Sequence, residues 1–204
     1  MKMIGSCGFP ARKKKKMTNK FKINTGDALL VVIDVQEKLS AAMPEDVVLA
    51  AISKAAVLMD AAEVLGLPVI VTEQYPKGLG CTVAALEERI AQQGIDKISK
   101  LSFSCCGEPD FMAALEKSHR KTVILCGQET HVCVLQTALD LLELGYWVFV
   151  AGDAVCSREV VNWQFALDEL RQAGCVVEPV ESMLFKMLGR AGTAEFKAIS
   201  KLVK

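Results

Sequence analysis

Three side chains with reactive chemistry lie where the sequence predicts that strands end and helices begin. Asp34 interrupts the apolar run VVIDVQ, Lys100 closes the short segment KISK, and Cys133 lies a few residues into the apolar segment THVCVLQTALDLLELG. A carboxylate within a buried strand must be paired or functional, because burying it alone is costly. A cysteine in an apolar segment ordinarily packs as a small hydrophobic residue. A reactive role for Cys133 therefore depends on the other residues of the chain.

These three groups are suited to activating a thiol. A thiol must lose its proton to attack a carbonyl carbon, and Asp34 could accept that proton. The ammonium of Lys100 would favour the thiolate and balance the charge of Asp34. We also expect the N-terminus of the helix at Cys133 to lower the pKa of its thiol. This chemistry requires no histidine as a base. His119 is predicted to lie in a loop on the side away from the site. His131 is closer, and we expect it to contact the substrate but not to act as the base.

Length and charge limit the class of protein. With 204 residues, 51% of them hydrophobic, the chain suits one domain with a full core. Lys plus Arg and Asp plus Glu both number 24, so the formal net charge is zero. A neutral surface attracts neither nucleic acid nor an anionic membrane, and no apolar run reaches the roughly 18 residues of a membrane span. We therefore expect a small-molecule substrate, no nucleic-acid or membrane partner, and a homo-oligomer, either a dimer or a tetramer.

The eight cysteines show no spacing typical of a disulfide scaffold. We therefore predict reduced thiols and a cytoplasmic protein. No C-x-x-C motif or His/Cys cluster offers a zinc site, and the chain contains only two histidines. The sequence thus predicts no metal and no cofactor.

The first residues differ in composition from the rest of the chain. RKKKK at 12–16 is a solvated charge run, and we predict a disordered basic extension at 1–22 before a single domain at 23–204. The extension lacks the long apolar stretch of a secretory signal. A mitochondrial or nuclear address in this basic segment is the alternative to a cytoplasmic location.

From about residue 27, short apolar runs alternate with longer amphipathic ones. The short runs are rich in β-branched residues and predict strands at 28–36, 68–74, 96–100, 121–127, 146–153 and 175–181. The longer ones predict helices at 44–66, 81–94, 108–118, 130–145 and 158–174, with a last helix within 192–204.

This alternation predicts the fold class. It favours a three-layer α/β domain, in which a six-stranded, mainly parallel sheet carries helices on both faces, as in Rossmann-like folds. Ligands of such open sheets bind outside the carboxyl ends of the strands. Asp34, Lys100 and Cys133 all fall at or just beyond such ends, so the topology predicts that they lie together.

Five stretches resemble the isochorismatase-like cysteine hydrolases, and within them the isochorismatase domain-containing proteins. They cover most of the chain in the order of the family: LLVVIDVQEKL, VTEQYPKGLG, KLSFS, CGQETHVCVLQTALDLLELGYWVFVAGDAVCSR and SMLFKMLGRAGTAEFKAISKLVK. The resemblance implies a Rossmann-like sheet and a catalytic triad of Asp34, Lys100 and Cys133. It also implies a cis peptide bond between Gln128 and Glu129, and an oxyanion hole formed by the backbone N–H groups of Glu129 and Cys133.

Departures from the family pattern narrow the chemistry. Nicotinamidases of this family carry a metal-binding Asp-x-His and another histidine after the second strand, where this chain has TEQYPKGLG without histidine. True isochorismatases commonly lack the cysteine, because vinyl-ether hydrolysis proceeds by protonation and water attack. Since Cys133 is retained, we expect a metal-independent hydrolase that cleaves the C–N bond of a small amide through a covalent thioacyl intermediate.

Two other functions stay open. The chain could be a non-catalytic oligomeric interaction protein, since LDLLELGYWVFV suits a subunit interface, or a thiol redox sensor, since a thiolate of low pKa is prone to oxidation. The loop PKGLG after the second strand is either a lid or a static turn. For an enzyme we expect a small, weakly polar substrate, and the candidate pocket residues by position are Gln36, Leu39, Gln74, Tyr75, Phe103, His131 and Val132.

Overall fold

A computed structural model describes residues 20–204 of the chain. The basic run at 12–16 and nearly all of the extension predicted at 1–22 lie outside these residues, so the prediction of disorder stays a prediction. Over the described residues, every helix is too short or too polar to span a bilayer.

Six strands form one sheet, and every neighbouring pair is parallel. In chain order they are β1 (Ala28–Ile33), β2 (Val69–Gln74), β3 (Lys97–Lys100), β4 (Thr122–Gln128), β5 (Trp147–Cys156) and β6 (Val176–Glu178). Across the sheet the order is β3-β2-β1-β4-β5-β6. Strands β2 and β3 therefore lie on one side of β1, and strands β4, β5 and β6 lie on the other side. This makes the β1–β4 pair the switch point at which ligands of open sheets bind.

Nine α-helices lie within the described part of the chain. They are α1 (Glu37–Ala41), α2 (Glu45–Leu65), α3 (Pro76–Leu79), α4 (Ala84–Gln93), α5 (Pro109–Lys117), α6 (Leu135–Glu143), α7 (Val160–Ala173), α8 (Val180–Leu188) and α9 (Ala194–Leu202). The longest, α2, begins after Pro44 and ends at Gly66, which has a φ of 65°. Glycine stops a helix at this left-handed conformation with little strain, as the sequence predicts.

The sheet is covered on both faces, because successive residues of β1 enter two different hydrophobic clusters. Leu30 and Val32 pack with residues of α2, α4, α8 and α9. Leu29, Val31 and Ile33 pack with residues of α5, α6 and α7. This alternation follows from the period of two along a strand. It confirms the predicted fold class, a three-layer α/β domain with six strands.

The last third of the domain differs from the prediction. The strand predicted at 175–181 is wrong in its second half, since β6 ends at Glu178 and α8 begins at Val180. The carboxylate of Asp153 accepts a hydrogen bond of 2.8 Å from the N–H of Val180 and so caps this unpredicted helix. β5 also continues to Cys156, beyond the predicted end at residue 153.

Gly127 brings β4 unusually close to β1. Its φ is 125°, and a Cβ atom at this position would lie 2.0 Å from the carbonyl oxygen of Ile33. No other residue type fits this combination of backbone conformation and close approach. The chain therefore leaves β4 directly beside the end of β1.

Candidate active site

The site forms where β1, β3 and β4 end. Asp34 follows the last residue of β1 and has a φ of 53°, a conformation that aspartate adopts more readily than most residues. Its N–H donates to the carbonyl of Thr72 at 3.1 Å, which keeps the main chain attached to β2 after the strand has ended. Lys100 is the last residue of β3, and Cys133 follows β4 by a few residues.

Asp34 and Lys100 form a fully buried ion pair. The Nζ atom of Lys100 lies 2.7 Å from Oδ2 of Asp34, and both side chains are 0% exposed. The hydroxyl of Thr72 donates to Oδ1 of Asp34, also at 2.7 Å. Burial raises the pKa of Asp34 above its ordinary value, and the charge of Lys100 opposes this rise. Burial likewise disfavours the charge of Lys100, but Asp34 and its other acidic neighbours together outweigh burial and hold the pKa of Lys100 above its ordinary value.

The ammonium of Lys100 has three further acceptors. They are Oε1 of Gln74 at 2.6 Å, the carbonyl of Ser102 at 3.1 Å and the carbonyl of Phe103 at 2.9 Å. The other end of the Gln74 amide donates to the carbonyl of Leu101 at 2.8 Å. Each of the three ammonium protons therefore has an oxygen partner, as a buried cation requires.

Cys133 lies in a single turn of π-helix, Thr130–Val134, and α6 begins only at Leu135. The residue is 5% exposed, and its thiol lies beside the carboxylate of Asp34. Burial and the charge of Asp34 raise the pKa of Cys133 to about 12, although Lys100 opposes the rise. The predicted lowering of this pKa is therefore wrong, because desolvation and a nearby carboxylate outweigh the helix dipole.

The protonation state of Cys133 bears on the alternatives. A thiol with a pKa of about 12 is protonated near neutral pH. The redox-sensor hypothesis depended on a resting thiolate, so the site does not support it. A thiol beside a carboxylate fits a nucleophile that is deprotonated as it attacks.

The main chain between β4 and Cys133 carries a cis peptide bond between Gln128 and Glu129, at the position that the family resemblance implies. Within residues 20–204, the N–H of Glu129 donates to no protein acceptor, so it is available to a ligand. The carboxylate of Glu129 accepts hydrogen bonds from the N–H and the Nε of Arg158, at 2.9 and 3.1 Å.

A second contact ties the same two segments together. Nδ1 of His131 lies 3.0 Å from the hydroxyl of Ser157, next to Arg158. The chain after β5 is therefore fastened at two points to the turn that carries Cys133. His131 is half-buried, and its ring is used in this contact.

The predicted pocket residues fall into three groups according to their exposure. Gln36 is fully buried and Gln74 nearly so, and both amides hold main-chain or Lys100 partners, which does not fit a pocket lining. Tyr75 and Phe103 are 51% and 55% exposed, as a pocket rim would be. The remaining candidates are half-buried: Leu39, His131 and Val132.

The segment predicted as a loop after β2 contains the short helix α3 and is held in place by hydrogen bonds. Nε2 of Gln36 donates to the carbonyl of Gly80 at 2.7 Å, and Nζ of Lys38 donates to the carbonyl of Gly78 at 2.7 Å. The N–H of Tyr75 donates to the carbonyl of Lys100 at 2.9 Å. These contacts favour the static turn over the lid.

The sequence did not predict that Thr72 would bind Asp34 or that Gln74 would bind Lys100. They lie two residues apart on β2, so both side chains point to the same face of the sheet. Thr72 contacts Asp34 and Gln74 contacts Lys100. The available signal was the polar pair within the apolar strand VIVTEQ, because buried polar groups need partners.

The described residues contain no group of three or more His, Cys, Asp or Glu side chains placed to hold a metal ion. The seven cysteines within 20–204 are all free. An apolar groove of about 320 Å³ lies along the end of β5, and Ser157, the partner of His131, is among its lining residues. Its walls come from the start of α2, the end of β5 and the start of α7, chiefly Pro44, Val47, Val155, Val160 and Trp163.

The fold and this site define an α/β protein of the isochorismatase-like hydrolase type. Residues 28–182 match the Isochorismatase domain. The chain therefore belongs to the isochorismatase family, whose members are generally hydrolases.

Named relatives cover most of the chain. It is 39% identical over 180 residues to isochorismatase domain-containing protein 2 of Bos taurus, which spans 88% of this chain and 84% of the relative. It is 44% identical over 149 residues to the secreted isochorismatase effector Isc1 of Phytophthora sojae, spanning 72% and 71% of the two chains. Among solved structures, the MAR1 ribonuclease from Caenorhabditis elegans superposes with a TM-score of 0.83 at 40% identity, covering 89% of this chain and 92% of that one.

Proposed function

We propose that the protein is a cysteine hydrolase that cleaves the C–N bond of a small amide without a metal. Cys133 is the nucleophile, Asp34 is the base and acid, and Lys100 is a fixed cation. The observation that carries this proposal is the position of Asp34 between both partners: its Oδ2 lies 2.7 Å from Nζ of Lys100, and its carboxylate lies close enough to the thiol of Cys133 to raise the pKa of that thiol.

In the first half of the reaction, the thiol proton of Cys133 passes to Asp34 while the sulfur forms a bond with the amide carbon. The oxyanion accepts hydrogen bonds from the backbone N–H groups of Glu129 and Cys133. Asp34 then gives its proton to the amide nitrogen, the C–N bond breaks, and the amine leaves a thioester on Cys133.

In the second half, a water molecule attacks the thioester carbon and gives one proton to Asp34. The C–S bond breaks, the acid product leaves, and Asp34 returns the proton to the sulfur. The chain thus ends in the state in which it began, with a neutral thiol and an ionised Asp34.

The pKa directions support this sequence. Burial raises the pKa of Asp34, which makes its carboxylate a stronger base than an exposed one. The thiol has a pKa of about 12, so it loses its proton as the C–S bond forms rather than beforehand. Lys100 stays protonated and offsets the negative charge that moves between Asp34 and the sulfur.

The charges around the site favour an uncharged substrate. Lys100 is paired with Asp34, and Arg158 is paired with Glu129. Neither cation therefore offers an unpaired charge to an anionic group. The exposed rings of Tyr75 and Phe103 suit an apolar or weakly polar acyl group.

The proposal is tested with a panel of small amides and esters. Turnover should be lost in Cys133→Ala and in Asp34→Asn, and retained in Cys81→Ala, which removes an exposed cysteine instead. Mass spectrometry of quenched reactions should detect the acyl group on the peptide that contains Cys133. Full activity of Cys133→Ala would contradict covalent catalysis.

A second candidate is the hydrolysis of a vinyl ether. It is favoured by the name of the Phytophthora relative and by the raised pKa of Asp34, which allows that carboxyl group to donate a proton. This reaction needs an acid but no sulfur nucleophile. Vinyl-ether turnover that survives Cys133→Ala and disappears in Asp34→Asn would support this candidate over amide hydrolysis.

The name of the nematode structure raises RNA as a further substrate. We propose instead that RNA is not cleaved, because the net charge of zero offers little attraction to phosphates. Incubation with single-stranded RNA tests this, and cleavage that depends on Cys133 or Asp34 would overturn the choice of a small amide.

We also propose that the chain forms a homo-oligomer. The support is the cluster of exposed apolar side chains on α7, Val160, Val161 and Phe165, beside the apolar groove. Light scattering of the purified protein should give a mass of at least two chains. A single-chain mass at micromolar concentration would contradict this.

A further inference from the structure

Lys100 needs support that β3 alone does not give. β3 has four residues, lies at the edge of the sheet and contacts only β2 among the strands. A lysine side chain has four rotatable bonds and loses much conformational freedom when it is held in one position. Other groups must therefore fix the ammonium beside Asp34.

Gln74 supplies the shortest hydrogen bond to that ammonium. Its Oε1 lies 2.6 Å from Nζ, and the two remaining acceptors are the carbonyls of Ser102 and Phe103. Oδ2 of Asp34 also lies 2.7 Å from Nζ, so four oxygen atoms surround the ammonium. The three neutral oxygens fix the position of the ammonium, and its charge acts on Asp34.

The Gln74 amide is itself fixed in orientation. Nε2 donates to the carbonyl of Leu101, so the amide oxygen is the end that faces Lys100. The main chain of Gln74 is held on both sides by Gln36, whose Oε1 accepts from its N–H at 2.7 Å and whose Nε2 donates to its carbonyl at 3.1 Å. Rotation of the amide would set two donors against each other at Lys100 and two acceptors against each other at Leu101.

We propose that Gln74 is a positioning residue, which holds Lys100 beside Asp34 and Cys133 and thereby raises the reactivity of the Cys133 thiol. Gln36 keeps Gln74 in register. The idea rests on the proposed function for its catalytic meaning, but the positioning itself is testable without any substrate.

The test measures alkylation of Cys133 by iodoacetamide, followed by peptide mass spectrometry between about pH 7 and pH 9. In Gln74→Met, the side chain keeps its length but loses the oxygen acceptor, so Lys100 moves away from the thiol. Alkylation of Cys133 should slow about tenfold at every pH in this range, because a thiol with a pKa of about 12 stays mostly protonated there and a rise of about one unit lowers the thiolate fraction tenfold. The matched control is Gln93→Met, which removes a hydrogen bond of 3.3 Å to the carbonyl of Met59, away from the site.

Two other cysteines serve as internal references in each sample. Cys81 is exposed, and its rate should be the same in every variant. Cys126 is fully buried, so it should stay unmodified unless the protein unfolds. A variant that labels Cys126 is partly unfolded, and the comparison is then made with Gln74→Leu at lower temperature.

A double-mutant cycle with Lys100→Met separates positioning from a general structural role. If Gln74 acts through Lys100, Gln74→Met should slow the alkylation of Cys133 no further once Lys100 is gone. The proposal would be overturned if the effects of the two substitutions multiply in the double variant, or if Gln74→Met alone leaves the alkylation rate of Cys133 unchanged. Since no turnover is measured, these outcomes are independent of whether small amides are hydrolysed.

Discussion

Replacing Lys100 with methionine removes the positive half of a fully buried ion pair and keeps the length of the side chain. Asp34 then keeps its hydrogen bond from Thr72 but has no cation beside it. Both side chains are completely enclosed, so water does not take the place of the missing charge. We expect a large loss of stability that depends on pH.

The magnitude follows from the distance and the burial. At 2.7 Å, two unit charges attract each other by about 6 kcal/mol at an effective dielectric constant of about 20. The desolvation of both groups offsets much of this attraction, so the intact pair adds little net stability. Removal of one partner leaves a buried carboxylate alone, which costs about 3–5 kcal/mol of the free energy of unfolding.

The sign of the pH dependence follows from the pKa of Asp34. Lys100 is the largest influence that lowers this pKa, so its removal lets the pKa in the folded state rise further above the unfolded value of about 3.9. The folded state then binds the proton more tightly than the unfolded state. This tighter binding of the proton stabilises the folded variant fully at pH values below the pKa of Asp34 in the unfolded state. The stabilisation is lost as the pH rises through the pKa of Asp34 in the folded state. Lys100→Met should therefore be closer to wild type at about pH 5 than at about pH 8.

Urea unfolding at both pH values, followed by circular dichroism, measures these differences. Lys97→Met is the matched control: it lies on the same strand, but its side chain and that of Glu87 are partly exposed, and its buried partner Glu73 keeps two hydrogen bonds from Thr82. The free energy of unfolding should fall by less than about 1 kcal/mol in Lys97→Met. The reasoning is refuted if Lys100→Met loses no more stability than Lys97→Met, or if its deficit is the same at both pH values.

Three further predictions use other parts of the structure. Gly127→Ala should yield no folded protein in soluble expression, because its Cβ would lie 2.0 Å from a backbone oxygen, whereas Gly94→Ala should fold and lose about 1–2 kcal/mol in urea unfolding. Thr72→Val removes a hydrogen-bond donor to the buried Asp34 and should lower the free energy of unfolding by about 1.5–3 kcal/mol. An unchanged free energy of unfolding would show that Asp34 is not a charged acceptor of this bond. Near neutral pH, iodoacetamide should modify the exposed Cys81 before Cys133, and the reverse order would show that Cys133 is already a thiolate.

The approach of Asp34 to Lys100 could be predicted from the sequence, because it depends on topology. The run ALLVVI is apolar throughout, as a central parallel strand must be, and it forms β1, although the strand predicted at 28–36 ends three residues early, at Ile33. Once β1 and β3 are parallel members of one sheet, residues at their carboxyl ends share one edge. The chemistry assigned to that edge stays a proposal, whereas the contact of 2.7 Å is a feature of the fold.

The pKa of Cys133 could not be predicted, because it depends on depth and on neighbours that come from distant segments. The sequence places Cys133 near the start of a helix, but it does not show that a π-turn precedes α6 or that the sulfur faces a carboxylate. Gln36 and Gln74 illustrate the same limit: each is a polar residue near a cleft, and only the acceptors around it distinguish an anchor from a pocket wall. Helix α8 was missed because VESMLFKML follows a short β-branched run, and its cap, Asp153, lies 27 residues earlier in the chain.

The two ties on the loop after β2 have a kinetic consequence. Gln36 and Lys38 hold the carbonyls of Gly80 and Gly78 before any ligand arrives. A small molecule would thus enter a preformed opening, and its capture would be a single bimolecular step with no slow isomerisation after it. In stopped-flow experiments, the observed rate should increase linearly with ligand concentration and show no plateau, unlike that of enzymes that close a flap over their substrates.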